Sequence, residues 1–202
     1  VAASSRLAEI IAKDINSKTT TYRLGLTTGT SPISLYAELV KLYKSGIVSF
    51  RNVEIYSIDE YYPAPSDHYS RNRRLYEDLV AKIDILPSNV HVPKLTEIHD
   101  SSYVSDFCSA YDAKARELDL LIMGCGEKGQ IGFNENGASE QSRTRTVLLP
   151  YQSRKRQARN FAGDIAKTPN TAIAMGISTM MSAKQIILIA WGEDKAKVVS
   201  QI

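Results

Sequence analysis

Apolar residues follow two rhythms along the chain, a helical one and a strand-like one, and the two alternate. Residues 2–17 place Leu7, Ile10, Ile11 and Ile15 at helical spacing. Residues 22–27 form a short strand-like run that ends in Thr28-Gly29-Thr30-Ser31-Pro32. A second helix follows, with Leu35, Leu39, Leu42 and Tyr43 on one face. Ser31 is the expected N-cap and Pro32 suits the first turn. The next strand, 53–58, ends at Asp59-Glu60, and a proline-bearing loop over 62–68 leads to a helix over 71–82. A short β piece at 90–92 and a helix at 102–118 precede the apolar run Leu120-Leu121-Ile122-Met123. Beyond it come a weaker strand at 144–149 and a helix at 152–161. Two last strands, 171–175 and 186–191, flank a short helix near 178–183.

Strands alternating with helices predict an α/β fold: a three-layer αβα sandwich with a Rossmann-like, mostly parallel sheet and helices on both faces. No repeat, low-complexity tract or linker interrupts the pattern, so residues 1–202 read as a single domain. The chain begins at Val1 without Met and stops inside the helix-like stretch 194–202, so truncation at both ends is expected.

Composition narrows the partners. The formal net charge is only +3 and the basic residues are scattered. Nothing in that distribution calls for nucleic acid or a membrane surface, and a small anionic ligand is enough to use a few cations. The sequence predicts neither a signal peptide nor a bilayer-spanning apolar run. The run Arg154-Lys155-Arg156 with Arg159 reads as a solvated helix face. Cys108 and Cys125 do not make a disulfide framework; they read as reduced thiols of a cytoplasmic protein.

Three loops at strand ends carry the candidate chemistry, because ligands of open α/β sheets sit outside the carboxyl ends of the strands. In the first, Thr28, Gly29, Thr30 and Ser31 offer hydroxyls and backbone N–H groups at a helix start. Either they bind an anion, naturally a phosphate, or Thr30 or Ser31 merely caps the helix. The spacing fits neither a P-loop nor a dinucleotide fingerprint. In the second, Asp59 and Glu60 cannot point the same way. One can act as a base while the other supports it, or both can be solvated acids. The third, from Gly124 through Gly126 and Gly129 to Glu135, is either a ligand loop with one carboxylate or a turn that needs its glycines. Arg154 and Lys195 are each able to complete a phosphate site as charge-assisted donors.

Together these loops resemble the glucosamine-6-phosphate deaminase/isomerase family, which includes galactosamine-6-phosphate deaminases and is related to the 6-phosphogluconolactonases. The matched pieces lie in family order over nearly the whole chain. They are Leu26 to Pro32, Ile58-Asp59-Glu60-Tyr61, Gly124-Cys125-Gly126, Ile131-Gly132-Phe133-Asn134-Glu135, Ser142-Arg143-Thr144-Arg145 and Gly192-Glu193-Asp194-Lys195. Phe133-Asn134-Glu135 and Tyr61 favour the deaminase branch over the lactonases.

The resemblance implies a phosphorylated amino sugar as substrate, no cofactor and no metal. It implies aldose–ketose isomerisation by transfer of the C2 proton, then loss of ammonia. Asp59 takes the role of C2 base and Glu135 a supporting role in ring opening. Thr28, Gly29, Thr30, Ser31, Glu60, Gly126, Arg154 and Lys195 take the substrate. Residues 146–163 match a mobile lid, which suits an enolamine that must be shielded from water. A homo-oligomer, with an allosteric site near Ser142, Arg143 and Arg145, also falls within what the resemblance allows.

The chain departs from the family where ring opening is expected. The family's histidine maps onto Gln130 and its partner aspartate onto Lys128. Glutamine does not titrate in the useful range, so only Glu135 remains of the relay. General acid–base assistance is worth about 10²–10⁴-fold, so ring opening is expected to slow by that order. Open-chain substrate, a water-mediated role for Glu135 with Gln130 as a positioning group, or binding without turnover would each accommodate the change. His91 and His99 read as structural or surface groups, whereas His68 follows the Asp59 loop and is the one able to reach the cleft. The competing functions are a non-catalytic sugar-phosphate-binding or regulatory homologue and a 6-phosphogluconolactonase-like hydrolase.

Overall fold

A computed structural model describes residues 2–66 and 68–201. Its first half runs α1 (Ala2–Ser17), β1 (Tyr22–Leu26), α2 (Ile33–Lys44), β2 (Val53–Ser57), β3 (Asp59–Tyr61), α3 (Arg71–Asp78), β4 (Val90–His91) and α4 (Ser101–Ala115). The second runs β5 (Leu120–Gly124), β6 (Arg145–Leu148), α5 (Tyr151–Gln157), β7 (Thr171–Ala174), α6 (Ile177–Met181), β8 (Ile186–Ile189) and α7 (Ala196–Val199).

The central sheet has the order β4-β2-β1-β5-β8, and every pairing in it is parallel. Successive side chains of a strand point to opposite faces, so a strand buried on both faces reads as an apolar run. On one face Leu24, Leu26, Ile55, Leu120 and Ile122 pack against Ile11 of α1, Leu39 of α2 and Leu75 of α3. On the other, Tyr56 and Leu121 pack against Tyr111 and Ala115 of α4 and Met180 of α6. The expected three layers are therefore present.

The strands expected at 144–149 and 171–175 do not join that sheet. They form β6 and β7 of a second sheet, ordered β3-β7-β6 and antiparallel throughout. The segment between them never crosses over to bring β7 parallel to β6. It folds back through α5 and a 3₁₀ turn, Ala158–Phe161, whose Phe161 packs with Tyr61, Phe133 and Leu149. The strand expected at 53–58 likewise passes from one sheet to the other. Ile58 donates its N–H to Leu26 of β1, and its carbonyl accepts from the N–H of Met175 next to β7. Asp59 sits at that junction.

Ser31 is not the N-cap of α2. Pro32 occupies the cap with φ −86° and ψ −4°, and no side chain caps the helix. The Ser31 side chain faces Gly124 instead, where a Cβ would lie 3.1 Å from Ser31 Oγ. The helix expected at 71–82 breaks at Leu79 into α3 and a 3₁₀ turn, Val80–Lys82.

This topology positions the site. From β1 the chain builds outward through β2 and β4 on one side and through β5 and β8 on the other. The strand order reverses between β1 and β5, where Leu26 pairs with Ile122. Such a switch point opens a crevice at the carboxyl ends of the two strands.

Candidate active site

A cavity of about 480 Å³ occupies that crevice. One wall is Thr28, Gly29, Thr30 and Ser31 after β1, with Cys125 after β5 and Lys195 before α7. The other wall comes from Arg71, Arg73 and Arg74 of α3, with His68, Tyr61 and Arg159. Gly29 has φ +115°, a conformation that side-chain-bearing residues rarely adopt. Trp191 holds the loop from outside, its Nε1 donating to the Ser31 carbonyl at 2.7 Å. The loop runs into the first turn of α2, where backbone N–H groups have no partner within the helix. Among the described residues cations outnumber acids here: Glu77 is the one carboxylate of that set lining the cavity, and it is paired with Arg73 at 2.6 Å. The wall therefore suits an anion.

Asp59 and Glu60 divide their work. Both are fully buried. The Glu60 carboxylate accepts from the backbone N–H of Tyr61 (2.8 Å), Arg71 (3.1 Å) and Asn72 (3.2 Å), the Asn72 side chain (2.8 Å) and the Ser70 hydroxyl. It satisfies orphan donors at the start of α3, where a negative charge is favoured. Asp59 accepts through Oδ1 from Nε of Arg71 at 2.8 Å, while its Oδ2 is buried with no partner. Burial pushes the Asp59 carboxyl above the usual carboxylate range, and the Arg71 guanidinium pulls it part of the way back. Burial disfavours charge on Arg71 as well, but Asp59 together with Tyr61 and Glu60 outweighs it and holds the guanidinium charged.

The loop after β5 wraps around Asp59. Gly132 has φ +59°, and a Cβ there would lie 2.7 Å from Asp59 Oδ2, so glycine is required on two counts. Asn134 anchors the loop to β7, donating to the Met175 carbonyl at 2.8 Å. Gln130 folds back on its own turn. Its Oε1 accepts from the Lys128 N–H at 3.0 Å, and its amide covers Gly126 so closely that a Cβ would fall within 2.4 Å of it. Lys128 is exposed. Glu135 accepts from Ser153 Oγ of α5, with Arg156 at 3.8 Å.

The cavity thus gathers Thr28, Gly29, Thr30, Ser31 and Lys195 from the sequence-derived set, with Asp59 behind Arg71. It does not gather the rest. Glu60 caps α3 rather than facing a substrate. Gly126 and Gln130 close their own turn. Glu135 points to α5. Arg154 donates to the carbonyls of Ile165 (3.0 Å) and Thr168 (3.3 Å), which ties down the segment after α5. Arg159, five positions on, lines the cavity in its stead.

Sequence reasoning missed Arg71, for which no motif gave a signal. It read Arg159 as solvated, although its place beside apolar Phe161 was a usable clue. Of the histidines, His68 lines the cavity, with Nδ1 2.5 Å from Arg73. His91 stacks on Tyr56 at 4.5 Å and His99 on Tyr103 at 4.2 Å. Among the described residues no three His, Cys, Asp or Glu side chains converge as a metal site. No helix among them is long and apolar enough to cross a membrane.

A doubly wound α/β sheet with a cationic cavity at its switch point and a buried carboxylate behind it places the chain in the Rossmann-like class of α/β proteins. The whole chain, residues 1–202, matches the glucosamine-6-phosphate isomerases/6-phosphogluconolactonase family, and the protein belongs to it. It is 39% identical over 183 residues to a glucosamine-6-phosphate deaminase of Mycolicibacterium smegmatis, covering 89% of this chain and 69% of that one. It is 36% identical over 200 residues to glucosamine-6-phosphate deaminase 2 of Bacillus subtilis, covering 96% and 78%. Among solved structures, a monomeric glucosamine-6-phosphate deaminase superposes with a TM-score of 0.88 at 33% identity, over 98% of this chain and 81% of that one. A 6-phosphogluconolactonase of Thermotoga maritima, at 15% identity and a TM-score of 0.75 over 98% and 84%, shares the fold.

Proposed function

We propose that this protein is a cofactor-free hexosamine 6-phosphate isomerase/deaminase that converts glucosamine or galactosamine 6-phosphate and water into a ketose 6-phosphate and ammonia. The observation that carries this reading is Asp59, a fully buried carboxylate with one unpartnered oxygen, set directly behind a cationic cavity. The identity to named deaminases supports the same choice. In this reading Thr28 to Ser31, Lys195 and Arg159 take the phosphate. Asp59 removes the C2 proton and returns it to C1, and the resulting ketimine loses ammonia to water. Glu135 assists ring opening after it leaves Ser153. The unpaired thiols of Cys108 and Cys125 fit a cytoplasmic enzyme.

A second reading, sugar-phosphate binding without turnover, draws on Gln130, which is folded onto its own turn and cannot relay a proton. Incubation with glucosamine 6-phosphate, assayed for ketose phosphate and ammonia together, separates the two. Equal amounts of both products support the deaminase. Saturable binding with neither product supports the binding protein.

A further inference from the structure

Arg71 is the cavity cation that touches Asp59, and the reaction as drawn leaves it without a task. It opens α3, directly after the N-cap Ser70, and its Nε lies 2.8 Å from Asp59 Oδ1. Its guanidinium carbon stacks 4.5 Å from the ring centroid of Phe133, and the side chain is 14% exposed, on the cavity wall. The position is over-determined. Glu60 fixes the backbone N–H of Arg71, Asp59 fixes its Nε, and the Phe133 ring packs against the guanidinium carbon. On Asp59 the result is asymmetric: Oδ1 is committed, whereas Oδ2 is buried, unpartnered and left room only because residue 132 is glycine.

We propose that Arg71 is a positioning residue for proton transfer, committing Oδ1 of Asp59 and leaving Oδ2 as the atom that takes the C2 proton. The inference rests on Asp59 being the C2 base. Arg71 has a second effect, because a carboxylate this deeply buried takes up a proton readily unless a cation stands beside it. An opposite charge at this distance lowers a carboxyl pKa by about 1–3 units. Lysine would keep the charge but lose the planar fork and the stacking on Phe133.

The test combines pH profiles of kcat and kcat/KM for glucosamine 6-phosphate with the ¹³C titration of the Asp59 carboxyl, assigned through Asp59→Asn. The full chain is used as wild type, Arg71→Met and Arg71→Lys. In Arg71→Met the acid limb and the Asp59 titration should both move up by about 1–3 pH units, with kcat down at least tenfold at neutral pH. Arg71→Lys should restore the limb but not kcat, with KM little changed. An unmoved limb and an unmoved titration in Arg71→Met would overturn the proposal. Should Arg71→Met not fold, Arg71→Lys decides alone: wild-type kcat overturns the proposal, and a loss in kcat without a loss in KM supports it. The carboxyl titration needs no substrate. A wild type that turns nothing over while Arg71→Met still shifts Asp59 therefore counts against the isomerase reading and leaves the ion pair's role standing.

Discussion

Ser153 Oγ donates to Glu135 Oε1, joining the loop after β5 to the first turns of α5. Arg156 donates to the same hydroxyl at 2.6 Å, so the carboxylate is held by a hydroxyl backed by a cation. Glu135 is parked rather than aimed at the cavity, and its use in ring opening requires α5 to release it. Glu135→Gln should lower kcat by about 10²–10⁴-fold, the usual worth of a general acid or base. Ser153→Ala should change kcat far less, because it removes the tether and keeps the carboxylate. Steady-state assays on the two variants check this.

Lys195 and Arg159 face the cavity, whereas Arg154 is spent on backbone carbonyls. Lys195→Met and Arg159→Met should each weaken substrate binding about 10–100-fold, the equivalent of one charge-assisted hydrogen bond of about 1.5–3 kcal/mol. Arg154→Met should leave the binding constant within a few-fold and lower the urea midpoint instead. Calorimetry with inorganic phosphate and with glucosamine 6-phosphate measures the first effect, and urea titration the second.

Glu60 accepts five hydrogen bonds around the start of α3. Glu60→Ala should therefore cost stability, about 2–4 kcal/mol, from a lost cap and buried donors left unmet. A variant of wild-type stability with weakened substrate binding would restore Glu60 to the substrate site.

Asp112 of α4 is fully buried and holds Thr179, the Thr144 N–H and Arg143. Burial pushes its carboxyl up, but the hydrogen bonds from Thr179, Thr144 and Arg143 outweigh it and leave the pKa below the usual value. A carboxyl with a lower pKa folded than unfolded adds stability that is complete above the unfolded pKa of about 3.9 and is lost as pH falls through the folded value. Asp112→Asn should cost about 1–3 kcal/mol near neutral pH, because the buried hydrogen bonds from Thr179 and the Thr144 N–H lose their charged acceptor, whereas Arg143 and Arg116 are exposed enough to be solvated once released. The gap to wild type should narrow below about pH 4, as read by urea midpoints at several pH values.

The parallel sheet was legible because Leu120 to Ile122 is an apolar run and residues 53–58 are apolar at Val53, Ile55, Tyr56 and Ile58, as a strand buried on both faces largely requires. The second sheet was not legible. Arg145-Thr146-Val147-Leu148 runs polar, polar, apolar, apolar and alternates only in exposure, so nothing local says which sheet such a strand joins. The place of the 28–31 loop and of Asp59 at the crevice could be read from strand ends alone. Arg154 and Arg159 stand on the same short helical stretch, and a shift of one turn decides which reaches the cavity. Gln130 maps onto the family's histidine, with a positioning role in ring opening, because its neighbours match the family. Its actual partner, the Lys128 N–H, lies two residues away and satisfies it locally. Arg71 was invisible because its meaning depends on the contact between α3 and β3, twelve residues back, and no spacing rule encodes that contact.

The central claim is that Asp59 moves the C2 proton of a hexosamine 6-phosphate. Proton NMR of glucosamine 6-phosphate in D₂O with wild type and Asp59→Asn tests it most directly. Loss of the C2 proton signal and growth of ketose resonances with wild type, both abolished in Asp59→Asn, are the predicted result. A C2 signal that persists with wild type while the sugar resonances broaden on binding would contradict the claim and leave a protein that holds the sugar phosphate without transforming it.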